Sequence, residues 1–210
     1  MKTIKIKYLL YILITFFTFG CAKEDDIELQ SYNTLIFFED FSNLTIDDDN
    51  DVFVSTRWFN FNEVGSKKWV SQYFAGDKNG YVEFSAFGSS QLINVGWLIS
   101  PALNMDLHDG EKLEFQSAPN FLRSRDNTLE LLVSTNFDGT NVLAADWINI
   151  PVKTASPDDK RFEYIDSGVV DLSKYKGNLH FAFKVKGSGT NSNLSGTYQI
   201  DNINLYYPSK

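Results

Sequence analysis

The chain has 210 residues, with 27 Asp and Glu against 19 Lys and Arg and a formal charge of −8. That balance repels phosphate backbones and anionic headgroups; it excludes nucleic acid as the natural partner and leaves cations or neutral sugars. One cysteine excludes an intramolecular disulfide, and an aromatic content of 15% points to a sheet protein.

In chain order, Lys2, Lys5 and Lys7 precede the apolar and aromatic run Tyr8 to Phe19. About a dozen residues fall short of the roughly 20 that span a bilayer, but suit the apolar region of a signal peptide. Thr18-Phe19-Gly20-Cys21 resembles a lipobox, so residues 1–20 are read as a lipoprotein signal peptide and Cys21 as the site of lipid attachment. Without residues 1–20 the chain loses three lysines and no acid, and its charge moves from −8 to −11. Ala22-Lys23-Glu24-Asp25-Asp26 resembles the export signal of Bacteroidota lipoproteins. The expectation is a protein anchored to the outer membrane through Cys21, facing outward, with residues 21–33 as a flexible tether and 34–208 as one domain.

From Thr34 onward alternation replaces helical periodicity. Strands are predicted over Leu35–Phe41, Tyr81–Phe87, Gly96–Ser100, Lys112–Ser117, Thr128–Ser134, Trp147–Ile150, Phe162–Gly168, Leu179–Val185 and Thr197–Tyr206. Leu172–Tyr175 reads as a short helical turn. Asp109-Gly110, Asp138-Gly139 and Lys176-Gly177 mark turns. Roughly eight to ten strands around one core imply a two-sheet β-sandwich.

The ordered set Phe38-Glu39-Asp40-Phe41, Trp69, Gly96-Trp97-Leu98-Ile99-Ser100-Pro101, Leu131-Leu132-Val133-Ser134-Thr135, Val170-Asp171-Leu172-Ser173 and Tyr198-Gln199-Ile200-Asp201-Asn202-Ile203 resembles the choice-of-anchor J domain family. That family is related to the cleaved-adhesin and MAM-like sandwiches. The resemblance implies an all-β, two-sheet jelly-roll fold of galactose-binding-like or MAM-like type, and an adhesive or carbohydrate-associated role.

Candidate sites come from side-chain chemistry. Glu39 and Asp40 end the first strand and Asp201-Asn202 lie in the last; if the two strands meet, these oxygens could hold a structural calcium. Asp47-Asp48-Asp49-Asn50-Asp51 fails as an EF-hand, because Val52 and Trp58 stand where Gly and Glu are needed; a solvated, mobile loop is expected. Trp58, Phe59 and Phe61 lie among Arg57, Asn60 and Asn62 as an aromatic platform for a sugar, and Arg123 and Arg125 could line a groove. Trp69, Trp97 and Trp147 read as core. His108 and His180 have no nucleophile motif beside them, and no nucleophile elbow, metalloprotease helix or phosphate loop is present. The expectation is a non-catalytic module that binds a glycan or a host or matrix surface. The alternative is an accessory subunit packed on a partner protein in an outer-membrane complex, through a flat apolar patch.

Overall fold

The computed structural model describes residues 32–208. Residues 1–31, on which the expected signal peptide, the expected lipid site Cys21 and most of the expected tether fall, lie outside them. Thirteen strands are present among the described residues: β1 (Asn33–Glu39), β2 (Phe59–Val64), β3 (Val70–Phe74), β4 (Asn79–Ser85), β5 (Asn94–Ile99), β6 (Leu103–Asn104), β7 (Lys112–Asn120), β8 (Thr128–Ser134), β9 (Ile148–Ile150), β10 (Ile165–Asp166), β11 (Val170–Asp171), β12 (Asn178–Gly187) and β13 (Thr197–Pro208). One sheet has seven strands, in the order β10-β7-β13-β4-β3, with β1 also on β13 and β11 also on β7. The other has six, in the order β2-β5-β12-β8-β9, with β6 also on β12. All pairings are antiparallel. The chain is therefore an all-β two-sheet sandwich of jelly-roll type.

Alternation decides which side chains enter the core. In β4, Val82 and Phe84 are buried while Tyr81, Glu83 and Ser85 face outward; in β12, Phe181, Phe183 and Val185 point inward. The facing layers interdigitate by size. Gly96 of β5 lies under the Phe84 ring, where a Cβ would stand 2.1 Å from Phe84 Cε2, so the six-stranded sheet offers a glycine to the largest side chain opposite. Trp69 is fully buried against Phe84, and Phe115 meets Phe183 edge-on at 4.8 Å.

A bulge in β13 fixes which of that strand's side chains enter the core. Asp201 and Asn204 pair with Gln116 and Glu114 of β7, so β13 carries one extra residue there, and Asn202 takes a positive φ of 50°. Without it, Ile200 and Ile203 would point to opposite faces; with it both are core, and Asp201 is left on the outer face of the seven-stranded sheet.

Three expectations change in detail. Of Phe162–Gly168 only Ile165–Asp166 is strand, because Phe162 and Gly168 both have positive φ and break the ladder. Leu172–Tyr175 is a single turn closed by Tyr175 N–H donating to Leu172 O at 3.0 Å. The acidic segment 47–51 is not a loose loop. Thr45 and Asp48 cap a short 3-10 turn, Asn50 N–H donates to Ser71 O at 2.9 Å, and Ser71 N–H donates to Asp51 O at 2.8 Å. Asp49 also accepts from Tyr73 N–H. The segment covers the free edge of β3, which would otherwise present unpaired backbone groups.

Candidate functional site

The outer face of the seven-stranded sheet is polar, and part of it is open. Strand register puts Val70 beside Glu83, Glu83 beside Gln199, and Ser85 beside Thr197, which in turn lies beside Asn120. Val70, Gln72, Glu83, Ser85, Asn120 and Thr197 floor a groove of about 620 Å³, with Gln199 buried beside Glu83. Lys67, Lys68, Phe87, Phe121, Arg123, Ser192 and Ser195 border it. Phe87 is 72% exposed and Phe121 53%.

Phe121 has a φ of 56°, a conformation that a bulky side chain adopts only under constraint. The Arg161 guanidinium lies 3.6 Å over its ring and donates through Nε to Asn120 Oδ1 at 3.0 Å. Ring, guanidinium and amide brace one another at the end of β7 and hold the aromatic at the rim.

Behind the open part the same face is closed and strongly polarised. Gln72 Nε2 and Gln199 Nε2 each donate to Glu83 at 3.2 Å, one to each oxygen. Burial pushes the Glu83 carboxyl above its usual range, with the Asp49 charge adding to it and the Gln199 bond opposing. Asp201 accepts from Asn79 Nδ2 at 3.0 Å and from Asn202 N–H at 2.7 Å. Burial nevertheless pushes it up to about 6, against those two bonds, and the charges of Asp40 and Glu39 add to the shift. Burial, with Glu83 and Asp49, raises Tyr81 to about 12. Tyr164 is raised further by burial and by Asp201, and its hydroxyl has no hydrogen-bond partner among the described residues.

The residues singled out from the sequence divide. Arg123 borders the groove. Arg125 does not: it pairs with Asp158 at the surface. Trp58 is 5% exposed and belongs to the core, edge-on to Phe37 and Phe181 at 5.8 and 5.7 Å, with Nε1 donating to Glu39 at 3.1 Å. It has no free ring face to offer a sugar. Phe59 and Phe61 stack on each other at 6.3 Å outside the six-stranded sheet, over a second apolar cluster that contains Trp97, Phe137 and Trp147. Of the tryptophans read as core, Trp69 lies between the sheets, whereas Trp97 and Trp147 build this outer cluster.

The first and last strands do meet, with Glu39 opposite Ile203. Glu39 is occupied by Trp58 Nε1 and Arg57, and Asp40 caps Ser42 N–H. Among the described residues no three His, Cys, Asp or Glu side chains are grouped as metal ligands. His180 is buried with Nδ1 2.8 Å from Ser100 O, and His108 stacks on Tyr207 at 4.1 Å.

Gln72, Glu83 and Thr197 are site residues that the sequence does not single out. Their one sequence signal is polarity at the outward positions of alternating strands, a pattern that solvent alone also selects.

Fold and groove together define an all-β sandwich with a ligand-sized polar cleft on one sheet. The chain belongs to the family described as a domain of unknown function, DUF5017, whose model matches residues 103–208. No curated protein matches it. Among solved structures it is similar to the K1 cleaved adhesin domain of Lys-gingipain from Porphyromonas gingivalis W83, with 21% identity, a TM-score of 0.48, and coverage of 82% of this chain and 98% of that one. The K3 cleaved adhesin domain of the same protein aligns at 16% identity and a TM-score of 0.49 over 82% and 98% of the two chains. A xylan-binding CBM22 domain from Paenibacillus barcinonensis aligns at 10% identity and 0.46 over 82% and 99%.

Proposed function

We propose that the protein is a non-catalytic, surface-displayed lipoprotein that binds a glycan chain in the groove across β3, β4, β13 and the end of β7. The groove carries the reading. Its volume of about 620 Å³ suits a few sugar units. Its floor offers amides, a carboxylate and hydroxyls from Gln72, Asn120, Glu83, Ser85 and Thr197, and its rim holds the rings of Phe87 and Phe121. Aromatic faces take the apolar faces of sugar rings, and planar polar groups take their hydroxyls. Among the described residues neither histidine has a hydroxyl or carboxylate as hydrogen-bond partner, so no nucleophile there is activated by either. Anchoring through Cys21 in the outer membrane, with the domain facing outward, rests on residues 1–26 alone.

A glycan array probed with the purified chain tests the reading. Binding that falls about tenfold or more in Phe87→Ala and Phe121→Ala, and survives in Phe59→Ala, is the expected result. A blank array for the unaltered protein refutes it.

A further inference from the structure

We infer that the groove selects a sugar chain carrying negative charge, one built with uronic acids or bearing sulfate esters, over a neutral one. This rests on the glycan reading and makes it more specific.

The chain as a whole is acidic, at −8, yet the groove reverses that sign. Lys67, Lys68 and Arg123 border it with one lining carboxylate, Glu83, whose two oxygens already accept from Gln72 and Gln199; the Asp49 charge also reaches Glu83, so three cations stand against two acids. Arg57, Arg125, Lys160, Lys176 and Lys184 all have acidic partners. Lys67, Lys68 and Arg123 have none among the described residues. A fourth cation, Arg161, lies just behind Phe121 and is tied to Asn120, which lines the groove.

Charge of this layout sorts ligands in two stages. Within a Debye length of about 8 Å the acidic surface outside the groove repels a polyanion, and farther away its field is largely screened, so charge alone does not secure binding. Inside the groove the balance reverses, and a chain that fits the floor brings its carboxylates or sulfates to two ammonium groups and a guanidinium. Arg123 can take a planar carboxylate through two parallel N–H bonds, while the lysines act as point charges. Composition alone points to neutral sugars; the placement of three cations points the other way.

Calorimetry on the purified full chain in detergent micelles tests this with polygalacturonate, a sulfated galactan, neutral xylan, neutral mannan and polyphosphate. The expected result is binding to a charged glycan that weakens about tenfold between roughly 50 and 300 mM NaCl. It should weaken about tenfold or more in the Lys67→Ala/Lys68→Ala/Arg123→Ala variant, and hold in Lys112→Ala/Lys153→Ala. Preference for polygalacturonate or for the galactan assigns carboxylate or sulfate as the recognised group. Neutral xylan or mannan bound as tightly, without salt dependence, overturns the inference and leaves the glycan reading standing. Polyphosphate bound as tightly as any glycan overturns it too, since charge without sugar would then suffice. Binding to none of the five overturns both.

Discussion

Asp201 lies buried on the outer face of the seven-stranded sheet, just before the bulge that returns Ile203 to the core. Burial raises its carboxyl from an ordinary value near 3.8 to about 6. Folding therefore favours the neutral acid. Its contribution to stability is fully present below the unfolded value and is lost as pH rises through about 6, opposite in sign to a salt-bridged carboxylate. A shift of about two units corresponds to roughly 3 kcal/mol over its whole range, of which about 1 kcal/mol falls between roughly pH 7.5 and pH 5. Glu83 is raised by burial as well and adds in the same direction. Asp201→Asn removes the titration and keeps an acceptor for Asn202 N–H, while the Asn79 amide can turn to present its oxygen. Urea unfolding across this interval should show the unaltered protein gaining about 1 kcal/mol more than the variant as pH falls. Equal pH slopes for the two proteins would refute the assignment of a buried, neutral-preferring acid to this position.

Two further outcomes are expected. Trp58→Ala should cost about 3–5 kcal/mol, because it empties a site enclosed by Phe37, Phe41 and Phe181 and removes the indole donor from Glu39; a loss below about 1 kcal/mol in chemical denaturation would contradict its place in the core. Structural calcium at Glu39, Asp40, Asp201 and Asn202 stays a proposal, and it predicts that calcium raises the melting temperature and EDTA lowers it; no shift in either direction rules it out.

Much of the sandwich is legible in the sequence because alternation is a local signal. Thr128–Ser134 is predicted to the residue, and β4, β5, β7, β12 and β13 within a few positions at either end. What escapes is local structure set by distant partners. β2 and β3 alternate poorly, since Asn60 turns inward to bond the backbone of Phe53 and Trp69, and Ser71 is a buried polar residue. The two-residue strands β6, β10 and β11 exist only because a long neighbour offers free backbone groups.

The site is less legible, and the reason lies in the second face of each sheet. Trp58 reads as a platform because its neighbours Arg57, Asn60 and Asn62 are polar, yet Glu39 at the end of β1 meets its indole N–H and Arg57. Polarity around a tryptophan in sequence thus reports the partners of a buried ring rather than an exposed one. The groove shows the converse. Lys67, Lys68, Phe87, Phe121 and Arg123 come from loops after β2, β4 and β7, and nothing in the spacing of these loops marks them as neighbours. They converge because β3, β4, β13 and β7 lie side by side, an order set by pairing between strands far apart in the chain. The charge of the whole chain conceals this, since three unpaired cations scarcely alter a total of −8. Gathered on one sheet they set the sign of the field inside the groove, which the net charge of the chain does not report.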